Sequence, residues 1–108
     1  MKKAKRARLE AAGWKVRSTR EFLGLSEEEA AFIELKLSLA RSLRARRQKR
    51  GFTQTQLAKL LDSSQSRVAK MEAGDRSVSL DLLVRSLLVM GTTKRELARI
   101  ILVDRKAA

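Results

Sequence analysis

Residues 53–74 read TQTQLAKLLDSSQSRVAKMEAG, and their spacing predicts two short helices joined by a tight turn. Thr53 is placed to cap the first helix, and the second begins at Gln65 and ends before Gly74. Ala58 provides the small side chain that two closely crossing helices need at their contact. The stretch therefore predicts a helix-turn-helix. The apolar side chains predicted to bury its inner faces are Leu57, Leu61, Val68 and Met71.

The outward side chains of the second helix are polar or basic, and none is acidic. Such side chains suit the base edges and phosphates of a DNA major groove, where Gln pairs with adenine and Arg with guanine. The second helix is therefore predicted to read DNA bases. The four predicted base-reading residues are Gln65, Ser66, Arg67 and Lys70.

Outside this stretch, helical spacing of apolar residues predicts three more helices. A capping box at Ser26 opens a long first helix that reaches Gly51. Ser79 opens a helix that ends at Gly91, and Thr93 opens the last one. The predicted fold class is all-α, a five-helix bundle with an N-terminal helical extension.

Composition narrows the function classes. The 108 residues suit one domain, and 25 Lys and Arg against 12 Asp and Glu give a net charge of +13, which favours a polyanionic partner. No Cys or His is present, so disulfides and thiolate or imidazole metal sites are excluded. We therefore predict no catalytic residue, no metal site and no cofactor. No apolar run is long enough to span a membrane, and no secretory signal is visible, so we expect a cytoplasmic protein without a membrane partner.

Charge is distributed unevenly along the predicted first helix. Glutamates lie at its start, and residues 41–50 hold six basic side chains and no acid. Favourable interaction with the helix dipole explains part of this pattern, and a solvated helix face is the alternative interpretation. Six basic residues exceed what the dipole requires, so we predict contact with DNA phosphates. The residues assigned to this role are Arg44, Arg46, Lys49 and Arg50.

Residues 51–74 resemble the Xre family, the helix-turn-helix domain of lambdoid phage repressors, and the likeness extends from about Leu35 to Ile101. The resemblance implies a five-helix bundle in which Thr53 and Gln54 contact a phosphate and Gln54 also braces Gln65. The sequence departs from the family pattern at one turn residue.

That residue is Asp62, which stands where the family usually has Gly. Asp tolerates the left-handed backbone conformation better than most residues, so the turn is still expected to form. The family also pairs an Arg in the first helix with a Glu after the recognition helix. This pattern implies a structural ion pair between Arg47 and Glu72, with Leu43 and Val68 in the core.

A second resemblance covers most of the chain. The segments GWKV (13–16), EFLGLSEEE (21–29), SSQSRVAKMEAGD (63–75) and VSLDLL (78–83) resemble HigA-type antitoxins. This resemblance implies that the chain neutralises a RelE/HigB-type ribonuclease toxin and represses the shared operon. The alternative is a stand-alone, phage-like Xre regulator with no toxin partner.

We divide the chain into residues 1–33, a basic arm and N-terminal extension, and residues 34–108, the DNA-binding domain. Trp14, Phe22 and Leu23 are predicted toxin contacts. The alternative interpretation is that they pack the N-terminal segment onto the bundle and brace the long helix. We also predict a homodimer on an inverted-repeat operator, because one recognition helix reads only a few base pairs. One apolar block near the end of the sequence is predicted to form either a dimer contact or part of the core. It consists of Leu97, Ile100, Ile101, Leu102 and Val103.

Overall fold

The computed structural model of the chain describes residues 24–102, and these contain five α-helices and no β-strand. The all-α fold class is therefore confirmed. The chain divides into two compact units, residues 1–34 and residues 35–108. The helices are α1 (Glu27–Lys49), α2 (Gln54–Leu60), α3 (Gln65–Ala73), α4 (Leu80–Val89) and α5 (Lys94–Leu102).

The described part of the first unit contains the start of α1. Ser26 and Glu29 form the predicted capping box, in which each backbone N–H donates to the side chain of the other residue, at 2.9 and 3.1 Å. The first turn carries three exposed glutamates, residues 27–29, which favour the positive end of the helix dipole. Phe32 and Ile33 follow, and they are 49% and 41% exposed.

The hydrophobic core of the second unit comes from α1 to α4 and the residues that flank α4. Leu39 and Leu43 lie one turn apart on α1 and are both buried. From α5, only the half-buried Leu97 and Ile100 pack against this core. The other core residues are Ala40, Leu57, Ala58, Val68, Met71, Val78, Leu83, Leu87 and Met90.

The helix-turn-helix forms as its spacing predicts. Ala58 is buried, and its carbonyl accepts a hydrogen bond of 2.8 Å from the backbone N–H of Ser63, which closes the turn after α2. Asp62 adopts a φ of 56° and is the one residue other than glycine with a positive φ between residues 24 and 102. Ser64 then caps α3 by accepting the backbone N–H of Arg67 at 3.2 Å. The turn and the cap together set the direction in which α3 leaves α2.

A close approach to α1 follows the end of α3. Gly74 has a φ of 68° and ends the helix in the left-handed conformation. A Cβ atom at this position would lie 2.6 Å from Cδ2 of Leu37, so the Leu37 side chain would have to shift, and the left-handed backbone itself favours glycine. Two residues further on, the carbonyl of Arg76 accepts a hydrogen bond of 3.4 Å from the buried Lys36 amine.

The left-handed turn residue Asp62 provides a stability test. We expect Asp62→Gly to raise the free energy of unfolding by about 0.5 to 1 kcal/mol, because glycine adopts this conformation without Cβ strain. Asp62→Val should lower it by about 1 to 2 kcal/mol, because a β-branched residue is strained there. Urea unfolding of the three proteins gives the comparison.

The matched control is the next residue, Ser63, which is exposed and has no positive φ. Ser63→Val should change the free energy of unfolding by less than about 0.5 kcal/mol. Equal losses for Val at both positions would contradict the strain argument.

Candidate nucleic-acid interface

A chain of side-chain hydrogen bonds joins the starts of the two short helices. Nε2 of Gln65, the first residue of α3, donates to Oε1 of Gln54 at 2.6 Å. Gln54 is the first residue of α2, and its own Nε2 donates to Oε1 of Glu72 at 3.1 Å. The amide of Gln65 is therefore held by α2 as well as by the helix that carries it.

The series of side-chain hydrogen bonds continues from Glu72 to α1. The Arg47 guanidinium donates twice to this carboxylate, through Nε to Oε2 at 2.5 Å and through Nη2 to Oε1 at 3.0 Å. Nη1 of Arg47 donates to the carbonyl of Phe52 at 2.8 Å. The hydrogen bond from Arg47 to Glu72 raises the pKa of Arg47 against the opposing effect of burial. We call the series Gln65, Gln54, Glu72 and Arg47 the polar chain.

The polar chain is shielded from water at its ionic end. The side chains of Arg47 and Glu72 are 12% and 4% exposed, respectively. Two-point contact between a guanidinium and a carboxylate fixes both groups in one plane, which a Lys at position 47 would not do. The ion pair therefore determines the spacing and orientation of α1 relative to α3.

The other predicted base-reading side chains lie on the exposed surface of α3. Ser66, Arg67 and Lys70 are all exposed, whereas Val68 between them is buried. Within residues 24–102, the side chain of Arg67 has no hydrogen-bond or ion-pair partner, and its backbone N–H donates to Oγ of Ser64. The start of α3 thus presents polar side chains outward and anchors itself through Val68.

Thr53, at the start of α2, takes part in a capping box. Its Oγ1 accepts the backbone N–H of Gln56 at 3.1 Å, and Oε1 of Gln56 accepts the Thr53 N–H at 2.8 Å. The exposed Thr53 hydroxyl acts as an acceptor within α2, so its O–H is still able to donate outward. Gln54 in contrast is half-buried, with both ends of its amide bonded inside the polar chain.

The basic cluster at the end of α1 divides between two sides of the helix. Arg44 is exposed, but the Arg46 guanidinium donates to the carbonyls of Met90 and Gly91, at 3.1 Å in each case. Arg50 donates to the Met90 carbonyl as well, at 2.6 Å. These carbonyls end α4 and have no partner within that helix. Arg46 and Arg50 therefore cap α4, a role that the charge pattern did not predict.

Helix geometry explains this division. Arg46 and Arg47 are neighbours in sequence, yet consecutive residues of an α-helix point about 100° apart. Arg47 consequently meets α3, while Arg46 and Arg50, one turn apart, meet the end of α4. The signal available in sequence was the basic i, i+4 pair, but nothing local to it identifies the carbonyls that it binds.

Several predictions fall outside the described residues. Trp14, Phe22 and Leu23, assigned to a toxin contact, precede residue 24, and Val103 follows residue 102. Between these limits no group of three or more acidic side chains is placed to hold a metal ion. None of the five described helices has the length and apolar character needed to cross a bilayer.

Comparison with known proteins gives one match. The sequence profile of a family described as helix-turn-helix matches residues 43–97, just over half of the chain. The matched range begins within α1, includes α2, α3 and α4, and ends within α5. No curated protein and no solved structure matches the chain.

Removing the charge of Glu72 tests how much the polar chain contributes to the free energy of unfolding. We expect Glu72→Gln to lower the free energy of unfolding by about 3 kcal/mol, because it leaves the shielded Arg47 guanidinium without a counter-charge. Chemical unfolding measures the change.

Asp81→Asn serves as the matched control, because Asp81 pairs with Arg85 on α4 with both side chains at least 75% exposed. This substitution should cost less than about 0.5 kcal/mol. If both variants lose the same free energy of unfolding, the ion pair of Glu72 with Arg47 contributes no more to stability than an exposed surface pair.

Proposed function

Because the chain belongs to the Xre-type helix-turn-helix family of DNA-binding transcriptional regulators, we propose that it is a sequence-specific repressor that reads operator DNA with α3. The observation that supports this most strongly is the polar chain, which holds the Gln65 amide at the exposed start of α3. A side chain already held in place loses less conformational entropy when it pairs with a base. A cytoplasmic location, which the sequence predicts, is part of this proposal.

In this proposal Gln65, Ser66, Arg67 and Lys70 read base edges. Arg67 is the strongest candidate for a two-point contact with guanine, because its guanidinium is exposed and has no partner within residues 24–102. Gln65 keeps one amide hydrogen and its carbonyl oxygen for adenine while it donates to Gln54. The first turn of α3 therefore carries the sequence preference.

Phosphate contacts are assigned to the start of α2 and to α1. The Thr53 hydroxyl and the free backbone N–H groups at the start of α2 suit a phosphate oxygen, with Gln54 beside them. Arg44 is exposed and supplies charge from α1. Arg46 and Arg50 belong to the same proposed set, although part of each guanidinium also binds the end of α4. The exposed Lys49 completes the set.

Base reading and phosphate contact predict different effects of mutation. On operator DNA, Gln65→Ala or Arg67→Ala should each cost about 1 to 3 kcal/mol of binding free energy, with little loss on random DNA. Arg44→Gln should weaken binding to both DNAs and reduce the dependence of affinity on salt. The operator is obtained by selecting bound sequences from a random duplex library, and affinities are measured by fluorescence anisotropy.

Lys59→Gln provides the control, since Lys59 is exposed on α2 and belongs to neither set. Equal losses on operator and random DNA for Gln65→Ala and Arg67→Ala would refute the assignment of base reading to α3.

We further propose that two chains bind an inverted repeat, using the exposed side of α5. Leu97 and Ile100 pack against the core, whereas Ile101 and Leu102 are 53% and 79% exposed. Two exposed apolar side chains at the end of one helix suit a two-fold contact. Sedimentation on the selected operator should show two chains, on half-sites about 34 Å apart. Saturation at one chain on a site without symmetry would contradict this proposal.

The resemblance to HigA-type antitoxins supports a second activity, the neutralisation of a RelE/HigB-type toxin. The described part of residues 1–34 adds one observation in its favour. Three exposed glutamates, residues 27–29, precede Phe32 and Ile33, which are each exposed over slightly less than half of their surface. Acidic and apolar groups together suit the basic surface of a ribonuclease that binds RNA. Trp14, Phe22 and Leu23 remain assigned to the same contact.

A truncated chain that starts at Glu34 separates this activity from DNA binding. We expect it to lose binding to the toxin encoded by the neighbouring gene while it keeps operator affinity and thermal stability. Co-expression and pull-down measure the first, and anisotropy and thermal unfolding the others. Unfolding of the truncated chain would show that residues 1–33 are a structural brace. Full neutralisation by it, or absence of a neighbouring ribonuclease gene, favours the stand-alone regulator.

A further inference from the structure

An open depression lies beside the C-terminal half of α1, and its lining residues come from α1, α4, α5 and the α4–α5 connection. Its floor is closed, because Leu87 is fully buried and Thr92 is only 4% exposed. Only the rim is therefore available to a partner. No residue of α2 or α3 lines the depression, so its rim is separate from the surface assigned to base reading.

Positive charge dominates this rim. Four basic side chains and one carboxylate line the depression. The carboxylate, Glu96, already lies 3.5 Å from Nη2 of Arg46. Lys49 and Arg99 are exposed and, within residues 24–102, have no hydrogen-bond or ion-pair partner. Arg95, one turn before Arg99 on α5, is exposed and unpaired within the same range. We call five residues the basic rim: Arg46, Lys49, Arg50, Arg95 and Arg99.

The basic rim lies on a different side of α1 from α3. Arg47 points toward α3, where it bonds to Glu72. Lys49 follows Arg47 by two residues, and consecutive residues of an α-helix point about 100° apart. The side chains of Arg47 and Lys49 therefore leave α1 in nearly opposite directions. A duplex that lies along α3 is consequently not the one that the basic rim meets.

The chemistry of the rim favours the backbone of a duplex. No aromatic residue lines the depression, and none of the exposed large apolar residues lines it. Single-stranded nucleic acid is held by aromatic side chains on which its bases stack, and a protein partner usually packs around an apolar or aromatic anchor. A duplex needs neither, because its phosphates present dense negative charge to Lys and Arg.

We propose that the basic rim binds the backbone of a second DNA segment while α3 reads the operator. This inference rests on the proposed function, and it assigns the phosphates that meet Arg46, Lys49 and Arg50 to the second segment. Arg95 and Arg99 extend the contact to α5. The second segment is bound without regard to its sequence, because phosphate contacts carry no direct sequence information. One chain thus joins two segments of DNA.

The test uses the full chain, saturated with a short duplex of the selected operator, to which a labelled short duplex of unrelated sequence is added. Fluorescence anisotropy at low salt should show that this second duplex binds the preformed complex, and its affinity should fall steeply as salt rises. In the NMR spectrum the operator should shift amide resonances of residues 64–71. The second duplex should shift those of residues 45–50 and 95–100.

Two double variants with the same change in net charge provide the control. Lys49→Gln with Arg99→Gln should weaken binding of the second duplex roughly tenfold and reduce the slope of log affinity against log salt by about 2, because two phosphate contacts are lost. Its affinity for the short operator should stay unchanged. Lys59→Gln with Arg85→Gln changes two exposed residues outside the basic rim, so it should alter neither affinity appreciably. Thermal unfolding confirms that both variants fold.

The proposal is overturned if the second duplex does not bind the operator complex, or if both double variants weaken its binding equally. It is also overturned if Lys49→Gln with Arg99→Gln weakens binding of the short operator, because the basic rim then serves the first duplex. Polyglutamate represents an acidic protein partner, and stronger binding of polyglutamate than of duplex to the rim has the same consequence.

Failure of the proposed function gives a different result, namely no shift of residues 64–71 with the operator. The response of residues 45–50 and 95–100 to duplex DNA decides the role of the basic rim in either case.

Discussion

The ion pair between Arg47 and Glu72 is the contact on which the DNA-binding unit depends. It is almost fully shielded, and both carboxylate oxygens are used, Oε2 by Arg47 and Oε1 by Arg47 and Gln54. A shielded ion pair stabilises a fold only when its donors and acceptors find partners. Here all three nitrogens of the Arg47 guanidinium and both Glu72 oxygens are hydrogen-bonded. Because the pair belongs to α1 and α3, and Gln54 to α2, one carboxylate sets the arrangement of three helices. The position of the Gln65 amide follows from that arrangement.

The basic residues at the end of α1 serve different purposes although they are close in sequence. Arg47 completes the polar chain, Arg46 and Arg50 cap α4, and Arg44 remains exposed. Net charge alone assigns all of them to a polyanion. The geometry instead shows that part of the positive charge holds the helices together, because the carbonyls that end a helix attract cations.

Two surfaces with different properties therefore share α1. One is continuous with the polar chain and with the exposed polar start of α3. The other meets the end of α4, where Arg46 and Arg50 bind the Met90 carbonyl. Arg46 lies on this side although its neighbour Arg47 bonds to Glu72. A single helix thus contacts two different elements without any residue common to both sets of contacts.

The sequence alone determined the local structure. Capping residues, glycines and apolar spacing were sufficient to predict five helices, the turn at residues 62–64 and the crossing at Ala58, because these features depend on neighbours within a few residues. The pairing of Arg47 with Glu72, and of Gln54 with Gln65, came from the family resemblance and not from spacing. Assignments to Trp14, Phe22 and Leu23 stay predictions. Only the tertiary structure decided which arginines bind the end of α4 and which apolar residues of α5 stay exposed. The arginine contacts join groups 40 to 45 residues apart in sequence, as in the contact of Arg46 with Met90, and no periodic pattern in a sequence records which distant groups will meet.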